Sequence, residues 1–193
     1  MEALINKRIW STVNLNVTKF NNGDEIFEAK TTEEWNEASE KKIAAWCEPE
    51  FKSENGYEYG KLYNYYAISD RRGLVPDGFK IPDQKEWLAM IKYFEGEAFA
   101  GKILKSRSIW ESPGEDKYNF NALPVGFRYH WGEYSEKLCG QTCCFWSITE
   151  SKEEPETHAK GINIKPVDKI DTRDFITDYP KGQGRTVRLI KIK

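Results

Sequence analysis

Gly78-Phe-Lys-Ile-Pro-Asp-Gln-Lys-Glu-Trp-Leu-Ala-Met-Ile-Lys-Tyr-Phe94 is a short extended run that turns sharply into an amphipathic helix. Pro82 stops the extended run because it has no ladder donor. Asp83, with Glu86 three residues later, forms a capping box that satisfies the first amides of a helix over about 83–94. Trp87, Met90, Ile91 and Phe94 then fall on one face at spacings of three, four and seven. Such a stripe requires a sheet to cover it. Working outward, Thr31 and Glu34 make a second capping box, which opens a surface helix over about 32–40 with Trp35 and Ala38 as its apolar positions.

Around these two helices the chain is dominated by β-formers. Arg8 to Leu15 alternates as a first strand, Asn21-Asn22-Gly23-Asp24 is a turn, and Ile43 to Cys47 is a brief extended piece. Gly60 to Ile68 is ambiguous in period, and the reading favoured is a helix of one to two turns. Val125 to Tyr129 reads as a strand with Trp131 to Tyr134 as the far side of a hairpin. Cys143 to Thr149 is expected to be a central strand. Ala159 to Ile164, Asp174 to Asp178 and the alternating stretch Arg185 to Lys193 complete the sheet. The architecture expected is therefore α+β, a twisted antiparallel sheet flanked by two main helices with long irregular loops.

The 193 residues are read as a single domain, 1–193, with no repeat or low-complexity linker to divide it. Seven Trp, ten Tyr and ten Phe imply a core built from aromatic rings more than from aliphatics. Twenty-nine basic against thirty-one acidic residues leave a net charge of −2, so no long-range field draws a polyanion and nucleic acid is not expected as a partner. No run of eighteen apolar residues is present, so membrane insertion is not expected either. The N-terminus lacks an apolar signal core, which leads us to expect a soluble, unprocessed chain.

Cys47, Cys139, Cys143 and Cys144 do not have zinc-ligand spacing, and no metal site is expected from them. Buried thiols are the favoured reading, with a Cys47–Cys139 bridge as its competitor. Asp168, Asp171 and Asp174 are spaced by three rather than by the two of an EF-hand loop, and are read as a solvated turn. His130 and His158 are distant in sequence, and neither has a Ser or acidic partner at the spacing of a triad.

Many of these segments, in this order, resemble the Fibrobacter succinogenes major paralogous domain. The matching residues include Ile9-Trp10, Asn14-Leu15-Asn16-Val17, Ala45-Trp46-Cys47, Tyr59-Gly60-Lys61-Leu62-Tyr63-Asn64-Tyr65-Tyr66-Ala67, Pro76-Asp77-Gly78-Phe79 and Pro82 with Glu86-Trp87. They continue through Lys102-Leu104-Lys105-Ser106 with Trp110, Phe120-Ala122-Leu123-Pro124-Gly126-Arg128, Phe145-Trp146-Ser147-Thr149-Glu150 and Val187-Arg188. The resemblance implies a C-type-lectin-like fold related to the formylglycine-generating sulfatase-modifying fold. It also implies a bacterial surface or binding module, extracellular or at the cell surface. Two departures count against export: Leu189 stands where relatives commonly carry Cys, and the chain starts almost directly in the domain, which keeps a cytoplasmic location open.

By that resemblance, the ligand face is formed by loops between the third and last strands, here 129–134 and 146–156. The ligand-binding residues expected are Tyr129, His130, Trp131, Tyr134, Trp146, Thr149 and Glu150, with no catalytic residue. Tyr and Trp could stack on sugar rings or anchor a protein partner, although a core position is the stronger reading of Trp146. The partner expected is a glycan or a protein, bound without a cofactor. The metal that would suit such a face is calcium, since Glu154-Pro155-Glu156 resembles the Glu-Pro-Asn element of lectins, but no Trp-Asn-Asp partner follows it. The alternatives are a thiol-dependent oxidative enzyme of the formylglycine-generating kind acting through Cys143 and Cys144, and a structural domain of a larger surface assembly.

Overall fold

The structure, a computed structural model, describes residues 2–49, 59–165 and 176–192. β1 (Glu2–Ile5) and β2 (Arg8–Ser11) form an antiparallel hairpin over Asn6 and Lys7, both with positive φ, as a tight two-residue turn demands. The predicted first strand thus ends at Ser11, and the strand before it was not foreseen. Near the other end of the chain, β10 (Ile190–Lys191) pairs antiparallel with β2 on one side and with β6 (Phe79–Lys80) on the other. The two ends of the chain therefore share one sheet, in the order β1-β2-β10-β6.

A second sheet joins β3 (Phe27–Glu28), β4 (Ala45–Cys47) and β5 (Leu62–Tyr63). Its β3–β4 pair is parallel, with α1 (Thr32–Glu40) in the connection, so not all of the pairing is antiparallel. A third, antiparallel sheet contains β7 (Cys143–Glu150), β8 (His158–Ile164) and β9 (Ile176–Pro180). Its middle strand is β8, not the 143–149 strand expected there. The outer side of β7 is covered by isolated bridges from Gly126 to Cys143 and from Thr186 to Phe145. The result is an α+β molecule with three small sheets where one was predicted.

Both predicted helices are present. α1 begins at Thr31 and α3 (Gln84–Tyr93) at Asp83, and each cap residue takes part in a complete capping box. Replacing Asp83 by alanine removes the acceptor for the Glu86 amide and should cost about 1 kcal/mol, read as a lower urea midpoint at unchanged slope. The short helix favoured for 60–68 is present over part of that stretch, and one further helix was not predicted. Within the ambiguous 60–68 stretch, the chain runs first as β5 and then as the single-turn α2 (Tyr65–Ile68). Asn64 sets that change, because its Oδ1 accepts from Ala67 and Ala45 while its Nδ2 donates to Ile43. α4 (Glu97–Leu104) has Gly96 at its N-cap with no side-chain cap bond, so the capping signature that revealed the others is absent.

The stripe on α3 is buried against Trp10, Phe120 and Phe145 in one aromatic core. Trp87 is at its centre, 4.8 Å from the Trp10 ring and stacked at 5.4 Å on Phe145. A second core gathers Trp46, Tyr63, Tyr65, Trp146, Val187 and Leu189. The C-terminal stretch runs between the two cores, placing Val187 and Leu189 in the second and Ile190 in the first.

Candidate functional site

Residues 125–134 are held by single bridges rather than by a ladder. Arg128 bridges to both Tyr134 and Gly184. The turn at its tip closes through the Tyr129 amide on the Glu133 carbonyl at 2.8 Å and the Gly132 amide on the Tyr129 carbonyl at 3.0 Å. Beneath it the buried Arg128 donates from Nε to the Gly132 carbonyl at 2.7 Å and lies over the Trp35 ring of α1. Gly132 has φ of +101° and abuts Thr32, where a Cβ would overlap the Thr32 carbonyl oxygen. Gly132→Ala therefore meets both an unfavourable dihedral and a backbone clash. It should destabilise by about 2–3 kcal/mol, measured by chemical unfolding.

This support presents an aromatic group. The Tyr129 and Trp131 rings stack at 4.2 Å with 14° between their planes, Phe127 meets Tyr129 edge-on, and His130 meets Trp131 edge-on. Trp131 Nε1 donates to the Glu133 carboxylate at 3.0 Å, which fixes the indole. Six of the seven tryptophans are at most 6% exposed, whereas Trp131 is 43% exposed. On the inner side of the turn, His130 borders Gly182, whose carbonyl accepts from Trp35 Nε1 at 2.9 Å. Burial of the ring, followed by the nearby His158, lowers the His130 pKa, so its imidazole is held toward the neutral form. The two histidines, far apart in sequence, are thus close enough in the fold for their charges to interact.

The remaining expected site residues divide. Trp146 is fully buried, with Nε1 donating to the Tyr63 carbonyl at 2.8 Å, and it is removed from the ligand face because its ring is enclosed by the second core. Tyr134 is half-buried, and its hydroxyl is bound by the Val125 carbonyl, so it braces the turn. Thr149 is directed to α3, where its Oγ1 accepts from the Gln84 amide at 2.9 Å. Glu150 is exposed and accepts from Lys181 Nζ at 2.6 Å, next in sequence to Gly182. Tyr129, His130 and Trp131 are therefore the members that come together. Sequence reasoning missed Arg128, Gly132 and Gly182; the first two carried the signal of an Arg or a Gly beside aromatic residues, and Gly182, between Lys181 and Gln183, carried none.

Cys143 and Cys144 are fully buried. Burial pushes the Cys143 thiol well up and the Cys144 thiol up to about 11, in spite of Arg185 nearby. A reactive thiolate needs the opposite shift together with access. No disulfide joins Cys47 to Cys139. Among the described residues no group of three or more His, Cys, Asp or Glu is placed to hold a metal ion. In the Glu154-Pro155-Glu156 element, Glu154 faces His158 Nδ1 at 2.6 Å. Asp168, Asp171 and Asp174 lie outside the described residues. No helix among the described residues is long and apolar enough to cross a membrane.

No curated protein and no solved structure matches the chain. The ordered sequence segments have their counterpart in a family model instead. Residues 4–191 match the model of the Fibrobacter succinogenes major domain, and the chain belongs to that family.

Proposed function

We propose that this domain is a noncatalytic binding module that engages a glycan or a protein partner through the 129–134 turn. The observation that carries this reading is the exposure of Trp131 in a chain that buries its other six tryptophans. A large apolar ring left at the surface, stacked on Tyr129 and fixed by Glu133, offers contact area with few torsions left to freeze. The turn is also preorganised, since Arg128 and Gly132 tie its backbone to α1. Within this reading the fold is a variant of the C-type-lectin-like arrangement, supported by the pairing of β10 with β2, which brings the two chain ends into one sheet. The reading also places the domain at the cell surface, alone or within a larger assembly. The thiol-dependent alternative has no comparable support, because both adjacent cysteines are enclosed.

The test is a glycan array and a binding assay against surface proteins with native chain and Trp131→Ala. Removing an anchoring ring should weaken binding at least tenfold, while the loss of its stack on Tyr129 should cost no more than about 1 kcal/mol of stability. A ligand bound equally well by both chains would place the contact surface elsewhere.

A further inference from the structure

The β1–β2 hairpin and the segment 116–121 bound a cleft of about 440 Å³, lined by Glu2, Thr12, Asp116, Asn119 and Asn121, none of which belongs to the 129–134 turn. That volume is within the range of small-molecule sites and far exceeds what a single ion fills. Its rim is built rather than loose. Asp116, Asn119 and Asn121 all adopt positive φ, and the Asn119 amide donates to the Asp116 carbonyl. Below them the buried Arg188 guanidinium donates to the carbonyls of Phe120 at 2.9 Å and Asn121 at 2.7 Å. With the backbone fixed from beneath, the side chains above are not needed to hold it.

Glu2 accepts from Lys191 Nζ at 3.3 Å, and the other side chains of the lining are little engaged. Thr12 lines the cleft, and its hydroxyl makes no hydrogen bond among the described residues. The Asn119 and Asn121 carboxamides also make no side-chain hydrogen bond among the described residues, and Asp116 uses one oxygen, which accepts from the Asn121 amide at 2.7 Å.

We propose that this cleft binds a neutral saccharide residue. Carboxylates accept, while carboxamides and a hydroxyl both donate and accept, which is the mixture that adjacent hydroxyl groups on a sugar ring require. Glu2 and Asp116 disfavour phosphate or any other anionic ligand. A dehydrated calcium ion would need six to eight oxygens converging at short distance. The lining carries only two carboxylates.

The test is titration of the protein with glucose, galactose, mannose, N-acetylglucosamine, cellobiose and maltose while backbone amide chemical shifts are followed. The expected result is saturable movement of the Thr12, Asn119 and Asn121 amides with at least one sugar. Thr12→Val, which keeps the shape, and Asn119→Gly, which keeps the positive φ, should each weaken that binding about threefold to tenfold. Trp131→Ala should leave it unchanged, which separates this site from the aromatic turn. The proposal is overturned if no sugar in the set moves those amides up to its solubility limit, or if calcium chloride moves them and the sugars do not. It is equally overturned if binding persists undiminished in both cleft variants.

Discussion

Trp87→Ala is expected to destabilise the protein by about 4 kcal/mol, within the range for emptying a large aromatic site. The indole is fully buried between Trp10, Phe120 and Phe145, which come from three separate parts of the chain. These neighbours are themselves large rings fixed by further ring contacts, so they cannot collapse readily into the space left behind. A loss of that size is a large share of the 5–15 kcal/mol that typically separates folded from unfolded states. Trp87→Phe should cost far less, about 1–2 kcal/mol. The indole Nε1 is buried without a hydrogen-bond partner among the described residues, so phenylalanine removes an unsatisfied donor together with part of the ring. Urea unfolding of the three proteins checks the ranking, and an alanine variant within about 1 kcal/mol of native would contradict the packing described.

Arg188→Met should be nearly as damaging, with a loss of about 3–5 kcal/mol. The guanidinium donates to Asn14 Oδ1 at 2.7 Å, to the Ser11 carbonyl at 2.9 Å and to the carbonyls of Phe120 and Asn121. It joins the first strand region, the 116–121 segment and the last stretch of chain at one point. Burial pushes its pKa down to about 10, which still leaves it cationic at neutral pH, and the faces of Phe120 and Phe145 lie beside it. Removing the donors takes a hydrogen-bond partner from each of four acceptors. Arg188→Lys should recover less than half of the loss, because one ammonium on a flexible stem cannot reproduce a planar fork of donors. Thermal melts of the two variants at matched pH check this, and a fully stable lysine variant would show that charge alone suffices.

What could be read in the sequence was what is encoded locally. The capping boxes at Thr31 and Asp83 each need only four residues, and both helices start where those residues place them. The stripe of Trp87, Met90, Ile91 and Phe94 is a property of one helix, and all four are buried. By contrast, α4 starts at a glycine that gives no side-chain cap, and β1 is recognisable only by its partner β2. The division of 60–68 into strand and helix depends on Asn64 reaching back to residues 43 and 45, which no local pattern records.

The candidate site was legible in outline for the same reason. Tyr129, His130 and Trp131 are adjacent and share a turn, so naming the segment named the cluster. A core position is the stronger sequence reading of Trp146, and its enclosure by Tyr63, Tyr65 and Arg185 bears that out. Arg128 entered the sequence reading only among the residues that carry the family resemblance, and its role rests on the Gly132 carbonyl and the Trp35 ring, the latter from a distant helix. The nearness of His130 to His158 likewise requires the third sheet to be in place.

Collisional quenching of tryptophan fluorescence by a neutral quencher tests the central claim without knowledge of the ligand. The emission of the native protein should contain one readily quenched component, and Trp131→Phe should abolish it while the six buried indoles remain shielded. A Trp131→Phe protein that keeps the quenchable component would mean that another tryptophan is at the surface, and the 129–134 turn would lose its claim to be the contact site.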